Sequence, residues 1–313
     1  MEENYRDLCQ VFTPNENVKE LLDWCDYKDD LYGKKIIENS CGDGSILKEV
    51  VKRYIENCLK KGISKSKIEK GLSEDIYAIE YDEPQYKKCI KNLDRIVKEY
   101  QLKKVMWKNI KNEDALSNLF EEKFDYVVGN PPYIKYKALS LGDREYIRKN
   151  FETCKKGKFD YCYAFIESSI KSLKNNGKMA YLIPSSIFKN VFANDLRKFI
   201  KPHITKIYDY TIMQLFDKST NDKGTDRLVS SVIMIIEKNS NNNNIEYIDV
   251  NKKETITIQK DKLEDKWVFR NKISNNKNKK RFGDYFYASN TIATLCNNAY
   301  VIKEYTQDRK YIY

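Results

Sequence analysis

Short apolar runs alternate with amphipathic stretches along the chain as far as about Asn176. A short apolar run bounded by turn residues predicts a buried strand, whereas apolar residues spaced three and four apart predict a helix. The predicted strands are Lys35–Glu38, Ile76–Glu80, Lys104–Trp107, Phe124–Gly129 and Lys178–Ile183, the last stopped by Pro184. The predicted helices are Ile46–Leu59, Gln85–Tyr100 and Tyr161–Lys174. This alternation is typical of a Rossmann-like, doubly wound α/β fold with a mostly parallel sheet.

The pattern changes beyond the fifth strand. Ile207–Ile212 and Leu228–Glu237 flank the polar loop Asp217–Arg227 and predict an antiparallel hairpin at the end of the sheet. The helix Tyr161–Lys174 has Asp160 as a candidate N-cap and Asn176-Gly177 as a candidate C-terminal cap. The asparagine run Ser240–Asn244 predicts a solvated turn, and the basic stretch Lys272–Arg281 predicts a linker. We therefore expect one domain over residues 1–245 and a linker with part of a second domain over residues 246–313.

Composition favours a polyanionic partner. The 313 residues carry a formal net charge of +11, which suits nucleic acid, although a lysine-rich proteome would give the same balance. The eight cysteines contain no C-x-x-C motif and His203 is the single histidine, so we expect no metal site and a reducing, cytoplasmic environment. No apolar stretch approaches the ~18 residues of a membrane span, and the acidic N-terminus is unlike a signal peptide.

A four-residue motif follows the strand Phe124–Gly129. Its members are Asn130, Pro131, Pro132 and Tyr133. An exocyclic amino nitrogen is a poor nucleophile because its lone pair is delocalised into the ring. The side-chain carbonyl of Asn130 and the backbone carbonyl of Pro131 could accept both of its N–H bonds, on a turn that the two prolines stiffen. Tyr133 offers a ring on which an extruded base can stack. The motif predicts methyl transfer to an amino nitrogen; by itself it could also be a simple strand-ending turn.

A candidate cofactor loop, Glu38–Ser45, follows the first strand and opens the first helix. Gly42 and Gly44 allow the backbone to pass close to a ligand. The loop contains no lysine or arginine and holds two acidic residues, which suits cationic S-adenosylmethionine better than a pyrophosphate. Glu80 ends the second strand and could accept the ribose hydroxyls, and Asp114 could accept from the adenine amino group. Each acid alone would be an ordinary surface carboxylate, but acids after three successive strands favour a site.

These residues together resemble the N6-adenine DNA methyltransferases of the gamma class, in the subgroup whose recognition domain follows the catalytic one. The resemblance covers about Gln10 to Glu237 and includes the helix motif Phe159–Phe165. It implies a Rossmann-like catalytic domain, S-adenosylmethionine as cofactor, double-stranded DNA as partner and a restriction-modification context. The cofactor contacts that it implies are Phe12, Thr13, Pro14, Glu38, Ser40, Cys41, Gly42, Gly44, Glu80, Asp114 and Asn130. It implies catalysis by Asn130, Pro131, Pro132 and Tyr133, and contact of Tyr133 and Phe216 with the flipped base.

The sequence departs from the family pattern in three places. Asn39 and Ser40 stand where Pro-Ala usually precedes the loop cysteine. The basic segment Lys60–Lys70 is an addition, either a solvated helix or a DNA-facing patch. The stretch Phe282–Ile302 resembles only the opening of a recognition domain. We therefore expect either a truncation or a second polypeptide that completes DNA reading.

Three other functions remain open from the sequence. A glutamine-amide methyltransferase acting on release factors shares the Asn130–Tyr133 motif, but carries a helical domain before the loop, where this chain has about forty residues before Gly42. An rRNA methyltransferase would use similar chemistry. A non-catalytic DNA-binding subunit would show a damaged motif or missing acids, and neither is present. We do not expect a nuclease activity in the same chain.

Overall fold

The computed structural model describes residues 15–210 and 230–269. A single sheet runs through these residues. Its strands are β1 (Ile36–Glu38), β2 (Ile76–Glu80), β3 (Ile110–Asn112), β4 (Phe124–Gly129), β5 (Leu173–Pro184), β6 (Ile204–Asp209), β7 (Ser231–Glu237), β8 (Asn244–Asp249) and β9 (Glu254–Gln259). Their order is β3-β2-β1-β4-β5-β7-β6-β8-β9. The first five are mutually parallel, while β7 is antiparallel to both β5 and β6. The predicted doubly wound fold with its antiparallel hairpin strand is confirmed.

Helices cover both faces of this sheet. Those in the described residues are α1 (Asn15–Trp24), α2 (Ser45–Lys60), α3 (Lys65–Asp75), α4 (Glu83–Glu99), α5 (Leu141–Asn150), α6 (Cys162–Ser172) and α7 (Asn194–Ile200). Helices α1 to α4 pack on one face, and α6 and α7 on the other. Successive strand residues alternate between the faces, so Ile36 belongs to the first core and Ile37 to the second. Burial on both faces explains why these strands are continuous apolar runs.

The predicted strands Ile76–Glu80 and Phe124–Gly129 have the predicted bounds, and the first two predicted helices end within two residues of α2 and α4. The predicted third strand, Lys104–Trp107, is wrong. These residues are irregular, and β3 instead begins at Ile110, opposite Ala78 of β2. Val105 is buried, and the Trp107 indole donates to Asp94 at 2.9 Å. These side-chain contacts give the segment the alternating apolar pattern of a strand, although its backbone pairs with no strand in the described residues. β3 ends at Asn112, two residues before Asp114.

The predicted caps of the helix after the Asn130–Tyr133 motif are also wrong. The side chain of Asp160 accepts from Lys135 Nζ at 2.7 Å rather than capping α6. The helix ends at Ser172, and the chain enters β5 at once. Asn176, at a φ of 62°, lies within β5 beside Gly177, where the pairing with β4 shifts register. Asn-Gly therefore forms an irregularity in a strand, a role that the local sequence does not distinguish from a helix cap.

The sheet continues past residue 245, where the sequence suggested a domain boundary. β8 crosses that position and pairs with β6, and β9 pairs with β8. The described part of the compact unit extends to Phe269. The assignment of the later residues to a recognition domain stays a prediction. The hairpin loop Asp217–Arg227 and the linker Lys272–Arg281 lie outside the described residues.

The described cysteines are free and buried: Cys25, Cys41, Cys58, Cys89, Cys154 and Cys162. Within residues 15–210 and 230–269, no helix is long and apolar enough to cross a membrane. The same ranges hold no group of three His, Cys, Asp or Glu side chains arranged to bind a metal ion.

Candidate active site

The strand order reverses between β1 and β4, which are hydrogen-bonded neighbours. A crevice beyond the carboxyl ends of these two strands is where ligands bind in open α/β sheets. The structure places both predicted motifs there, because Glu38 is the last residue of β1 and Asn130 follows the last residue of β4. The motifs touch: Ser40 Oγ donates to the backbone carbonyl of Asn130 at 3.4 Å.

The glycine loop takes a tight left-handed path into α2. Gly42 has a φ of 53° and Gly44 one of 82°, and the Gly44 N–H donates to the Cys41 carbonyl at 2.8 Å. Asp43 is committed to holding this loop, since it accepts from Ser45 Oγ at 2.7 Å and pairs with Lys88 at 3.1 Å. Burial disfavours ionisation of Asp43, but these two partners outweigh it and lower its pKa. The loop is therefore preformed by contacts within the protein.

We expect Gly44→Ala to destabilise the protein by about 2–4 kcal/mol, and Gly42→Ala by only about 1 kcal/mol. A Cβ at Gly44 would lie 2.7 Å from Cys89 Sγ, whereas a Cβ at Gly42 meets nothing within 4 Å. Both variants carry the cost of a positive φ, so their difference isolates the clash with α4. Urea unfolding measures it; equal destabilisation of the two variants would contradict this account of the loop.

Glu80 connects β2 to the loop. One carboxylate oxygen accepts from the Gly42 N–H at 2.7 Å and the other from the Asp82 N–H at 2.8 Å. Burial raises the pKa of Glu80, and these backbone N–H groups partly offset that rise. A carboxylate oxygen has more than one acceptor site, so Glu80 can hold the loop and still accept the two hydroxyls of a ribose.

Asp114 follows β3, and the two residues before it are bonded to the backbone of Glu80. The Asn112 side chain donates to the Glu80 carbonyl at 2.8 Å, and the Glu113 N–H donates to the same oxygen at 3.1 Å. Asp114 Oδ1 accepts from the Leu116 N–H at 2.9 Å, which fixes a half-buried carboxylate at the rim. Of the three predicted acids, two therefore end β1 and β2, and the third lies two residues beyond β3.

Glu38 is a buried acidic residue with which a cationic ligand could form an ion pair. Its side chain is only 2% exposed, and Oε2 has no hydrogen-bond partner among the described residues. Burial, followed by the nearby Cys89, Glu80 and Asp43, raises its pKa well above the usual range of a glutamate. A buried carboxylate of this kind is costly unless a positive group joins it. The donor set thus fits the positively charged amino acid end of S-adenosylmethionine.

Glu38→Gln is expected to stabilise the cofactor-free protein at pH 8 and to weaken cofactor binding. The folded pKa of Glu38 lies above its unfolded value, so wild-type stability falls as pH rises from about 4.3 through the folded pKa. Glutamine stays neutral and avoids that loss. Calorimetry should show a higher Tm for the variant at pH 8, by about 2–4 °C per kcal/mol, and no difference near pH 4. Exposed Glu121→Gln is the control; a wild type at least as stable as Glu38→Gln at pH 8 would be the contrary result.

The Asn130–Tyr133 motif is held by β5. The Tyr133 hydroxyl donates to the Leu182 carbonyl at 2.8 Å, and burial raises its pKa well above the usual range. Tyr133 is therefore a neutral anchor and not a proton acceptor, and its half-buried ring is fixed in place. Pro131 is buried, whereas Asn130 is half-buried.

A hydrogen-bonded chain beneath these motifs was not predicted. Asn39 Nδ2 donates to Ser169 Oγ at 3.0 Å, and Ser169 lies 2.7 Å from the Tyr181 hydroxyl. Tyr181 in turn packs against Gly129, where an added Cβ would be 3.1 Å from its ring. The departure from Pro-Ala at Asn39 was the one sequence signal, but its partners are 130 residues away. These hydrogen-bonded side chains connect the glycine loop to β4, the strand that Asn130 follows. The predicted contacts Phe12, Thr13, Pro14 and Phe216 lie outside the described residues.

Solved structures share this architecture. The type IIG restriction endonuclease BpuSI superposes with a TM-score of 0.59 at 16% identity, covering 81% of this chain and 31% of that one. A class I S-adenosylmethionine-dependent methyltransferase from Listeria monocytogenes gives 0.52 at 20% identity, covering 74% and 62%. The fold is that of the class I S-adenosylmethionine-dependent methyltransferases.

The sequence places the chain within one branch of that class. Residues 30–216 match the Eco57I restriction-modification methylase family, and the chain belongs to that family. Type II methyltransferase M.BstVI of Geobacillus stearothermophilus is 28% identical over 210 residues, covering 63% of this chain and 37% of the relative. Modification methylase CviBIII of Paramecium bursaria Chlorella virus NC1A is 30% identical over 224 residues, covering 71% and 48%. The chain thus spans less than half the length of these curated relatives. Fold and family imply S-adenosylmethionine as the cofactor.

Proposed function

We propose that this protein transfers a methyl group from S-adenosylmethionine to N6 of an adenine flipped out of double-stranded DNA, as the modification component of a restriction-modification system. The observation that carries the proposal is the contact between the glycine loop and the Asn130–Tyr133 motif through Ser40. This contact supports the proposal because it joins the loop predicted to hold a methyl donor to the motif predicted to hold an amino group, at the switch point of the sheet. The names of the curated relatives, a type II methyltransferase and a modification methylase, support methyl transfer in a restriction-modification context.

We assign the cofactor contacts by chemistry. Glu80 would accept the ribose hydroxyls, Asp114 the adenine amino group, and Glu38 would face the amino acid end. The backbone of Ser40, Cys41, Gly42 and Gly44 would pass close to the cofactor, with Asn130 at the reacting end. When bound, S-adenosylmethionine supplies an electrophilic methyl on a sulfonium.

Catalysis would depend on position and hydrogen bonding. The Asn130 side-chain carbonyl and the Pro131 backbone carbonyl would accept the two N–H bonds of the amino group and direct its lone pair at the methyl carbon. Because the amino nitrogen would itself take the methyl group and leave S-adenosylhomocysteine, no side chain of this protein would need to act as a covalent nucleophile. The proton could leave once the nitrogen is cationic, so no strong base is required. Tyr133 would not act as that base, because its raised pKa keeps the hydroxyl neutral. Flipping the base would cost the energy of unstacking it from the duplex, and stacking on Tyr133 would partly offset that cost. Prepositioned acceptors of this kind act chiefly by orientation and electrostatics.

Competing acceptors test the substrate class. The chain is incubated with radiolabelled S-adenosylmethionine and equal masses of duplex DNA, rRNA and a peptide release factor, each alone and then mixed. We expect label in DNA, with little in the other two. Label mainly in rRNA or release factor would favour the alternative methyltransferases, and cofactor binding without transfer to any acceptor would favour a non-catalytic DNA-binding subunit. A second polypeptide and a cytoplasmic location stay predictions.

A further inference from the structure

The segment between the Asn130–Tyr133 motif and α6 is strongly basic. Between residues 135 and 158 it has eight basic residues, namely Lys135, Lys137, Arg144, Arg148, Lys149, Lys155, Lys156 and Lys158. Its acidic residues are Asp143, Glu145 and Glu152. The segment contains α5 and two short turns, and the reaction proposed above assigns it no role.

The two arginines of the segment are used internally. Arg148 donates to the carbonyls of Lys155 at 2.8 Å and Gly157 at 3.1 Å, and Arg144 donates to the carbonyls of Tyr136 at 3.0 Å and Lys137 at 2.9 Å. Both guanidinium groups also lie over the Tyr136 ring, at 4.7 Å for Arg144 and 5.8 Å for Arg148. Arg148 therefore holds the turn Lys155–Lys158, whose three lysines are exposed.

The lysines of this turn are not neutralised by the protein. Lys155, Lys156 and Lys158 are exposed, as is Lys189 in the loop after β5, and none forms an ion pair with a residue in the described ranges. Some other surface lysines are paired, for example Lys108 with Glu74 at 3.5 Å, Lys87 with Glu83 at 2.7 Å and Lys206 with Glu246 at 2.9 Å. This surface therefore concentrates positive charge that the fold itself does not use.

Two exposed apolar residues adjacent in sequence lie in the loop beside this turn, and one of them contacts it. Val191 is 67% exposed and Phe192 43% exposed. A Cβ at Gly157 would lie 2.4 Å from the Phe192 ring, so the ring rests on the backbone of the lysine turn. Phe192 belongs to the loop that leaves the carboxyl end of β5, next to β4. The patch is thus at the edge of the sheet that carries Asn130.

We propose that this patch, defined as Lys155–Lys158, Lys189 and Val191–Phe192, binds the DNA backbone beside the flipped base. This inference rests on the proposed function. Unpaired lysines suit phosphates, whereas protein–protein interfaces are depleted in lysine. Exposed apolar side chains beside cations are also used by DNA-binding proteins against sugars and partly unstacked base steps.

The test compares two charge-matched variants of the whole chain. Lys155→Ala/Lys156→Ala/Lys158→Ala removes three charges from the patch. Lys65→Ala/Lys67→Ala/Lys70→Ala removes three exposed charges from α3, which leads into the amino end of β2, at the opposite edge of the sheet. DNA binding is measured between 50 and 200 mM salt. Each lost phosphate contact lowers the slope of log K against log salt by about 0.9, so the patch variant should lose about 2–3 and the α3 variant about 0. Equal slopes in the two variants, or no DNA binding by the wild type, would overturn the proposal.

A third variant tests the two apolar residues of the patch separately from its lysines. Val191→Ala/Phe192→Ala should weaken DNA binding at every salt concentration and leave the slope unchanged, because apolar contacts release no counterions. A changed slope, or unchanged affinity, would exclude these two residues from the patch. Calorimetric binding of S-adenosylmethionine should stay at the wild-type value in all three variants. Methyl transfer to DNA by the wild type with identical salt slopes in the charge variants would reject the patch alone. A wild type that binds DNA with the predicted slopes but methylates none would reject the proposed function alone.

Discussion

Replacement of Asn130 by alanine is expected to reduce methyl transfer by about 10²–10³-fold or more, while the dissociation constant for S-adenosylmethionine changes by less than about threefold. The side-chain carbonyl is the acceptor that would orient the amino nitrogen, so its loss affects the transition state most. The bond from Ser40 uses the backbone carbonyl of Asn130 and survives the substitution. Single-turnover transfer of labelled methyl groups to DNA measures the rate, and calorimetry measures cofactor affinity.

The control for this experiment is Asn251→Ala, an exposed asparagine in the turn between β8 and β9. It should transfer methyl groups at the wild-type rate. Simultaneous loss of cofactor binding and of the cooperative thermal transition in Asn130→Ala would show misfolding. Full activity in a folded Asn130→Ala protein would remove Asn130 from the reaction and contradict the mechanism.

Loss of the Glu80 carboxylate is expected to weaken S-adenosylmethionine binding by about 100-fold in Glu80→Ala. Two effects would add: the ribose hydroxyls would lose the acceptor proposed for them, and the Gly42 N–H would lose a 2.7 Å bond that holds the loop in place. Hydrogen bonds to charged groups contribute about 1.5–3 kcal/mol each, which gives about this magnitude for one to two bonds. Glu80→Gln keeps one acceptor oxygen and should fall between the wild type and the alanine variant.

Glu83→Gln serves as the matched control for Glu80. Glu83 is exposed in the first turn of α4 and pairs with Lys87, so its loss should leave cofactor affinity unchanged. The effect of Glu80 should also extend to S-adenosylhomocysteine, which has the same ribose. Wild-type affinity of Glu80→Ala for both ligands would refute the assignment of this acid to the ribose.

The sheet and its motifs were predictable because the sequence pattern is local there. Phe124–Gly129 is buried on both faces, so it forms an unbroken apolar run, and the parallel strands must present their carboxyl ends on one edge. Asn130, Glu38 and Glu80 follow or end such runs, and their meeting at that edge follows from the topology. Glu38, Glu80, the glycine loop and the motif could therefore be placed at one edge of the sheet from their spacing, whereas Asp114 was assigned after a strand that the structure does not contain.

The features that the sequence did not predict correctly depend on contacts between residues distant in sequence. β3 is a strand of three residues set by its pairing with β2, which local apolar spacing near Val105 could not indicate. Asp160 has the composition of a helix cap but is drawn to Lys135, 25 residues away. The link from Asn39 to Ser169 and Tyr181 joins a loop, a helix and a strand. Each is a tertiary interaction that overrides a local preference.

The measurement that tests the central claim most directly is mass spectrometry of nucleosides from mixed-sequence duplex DNA incubated with the protein and S-adenosylmethionine, with the Asn130→Ala variant in parallel. The structure-based account predicts N6-methyladenine with the wild type and none above background with the variant. A methyl group found on cytosine, or N6-methyladenine formed equally by the variant, would contradict it.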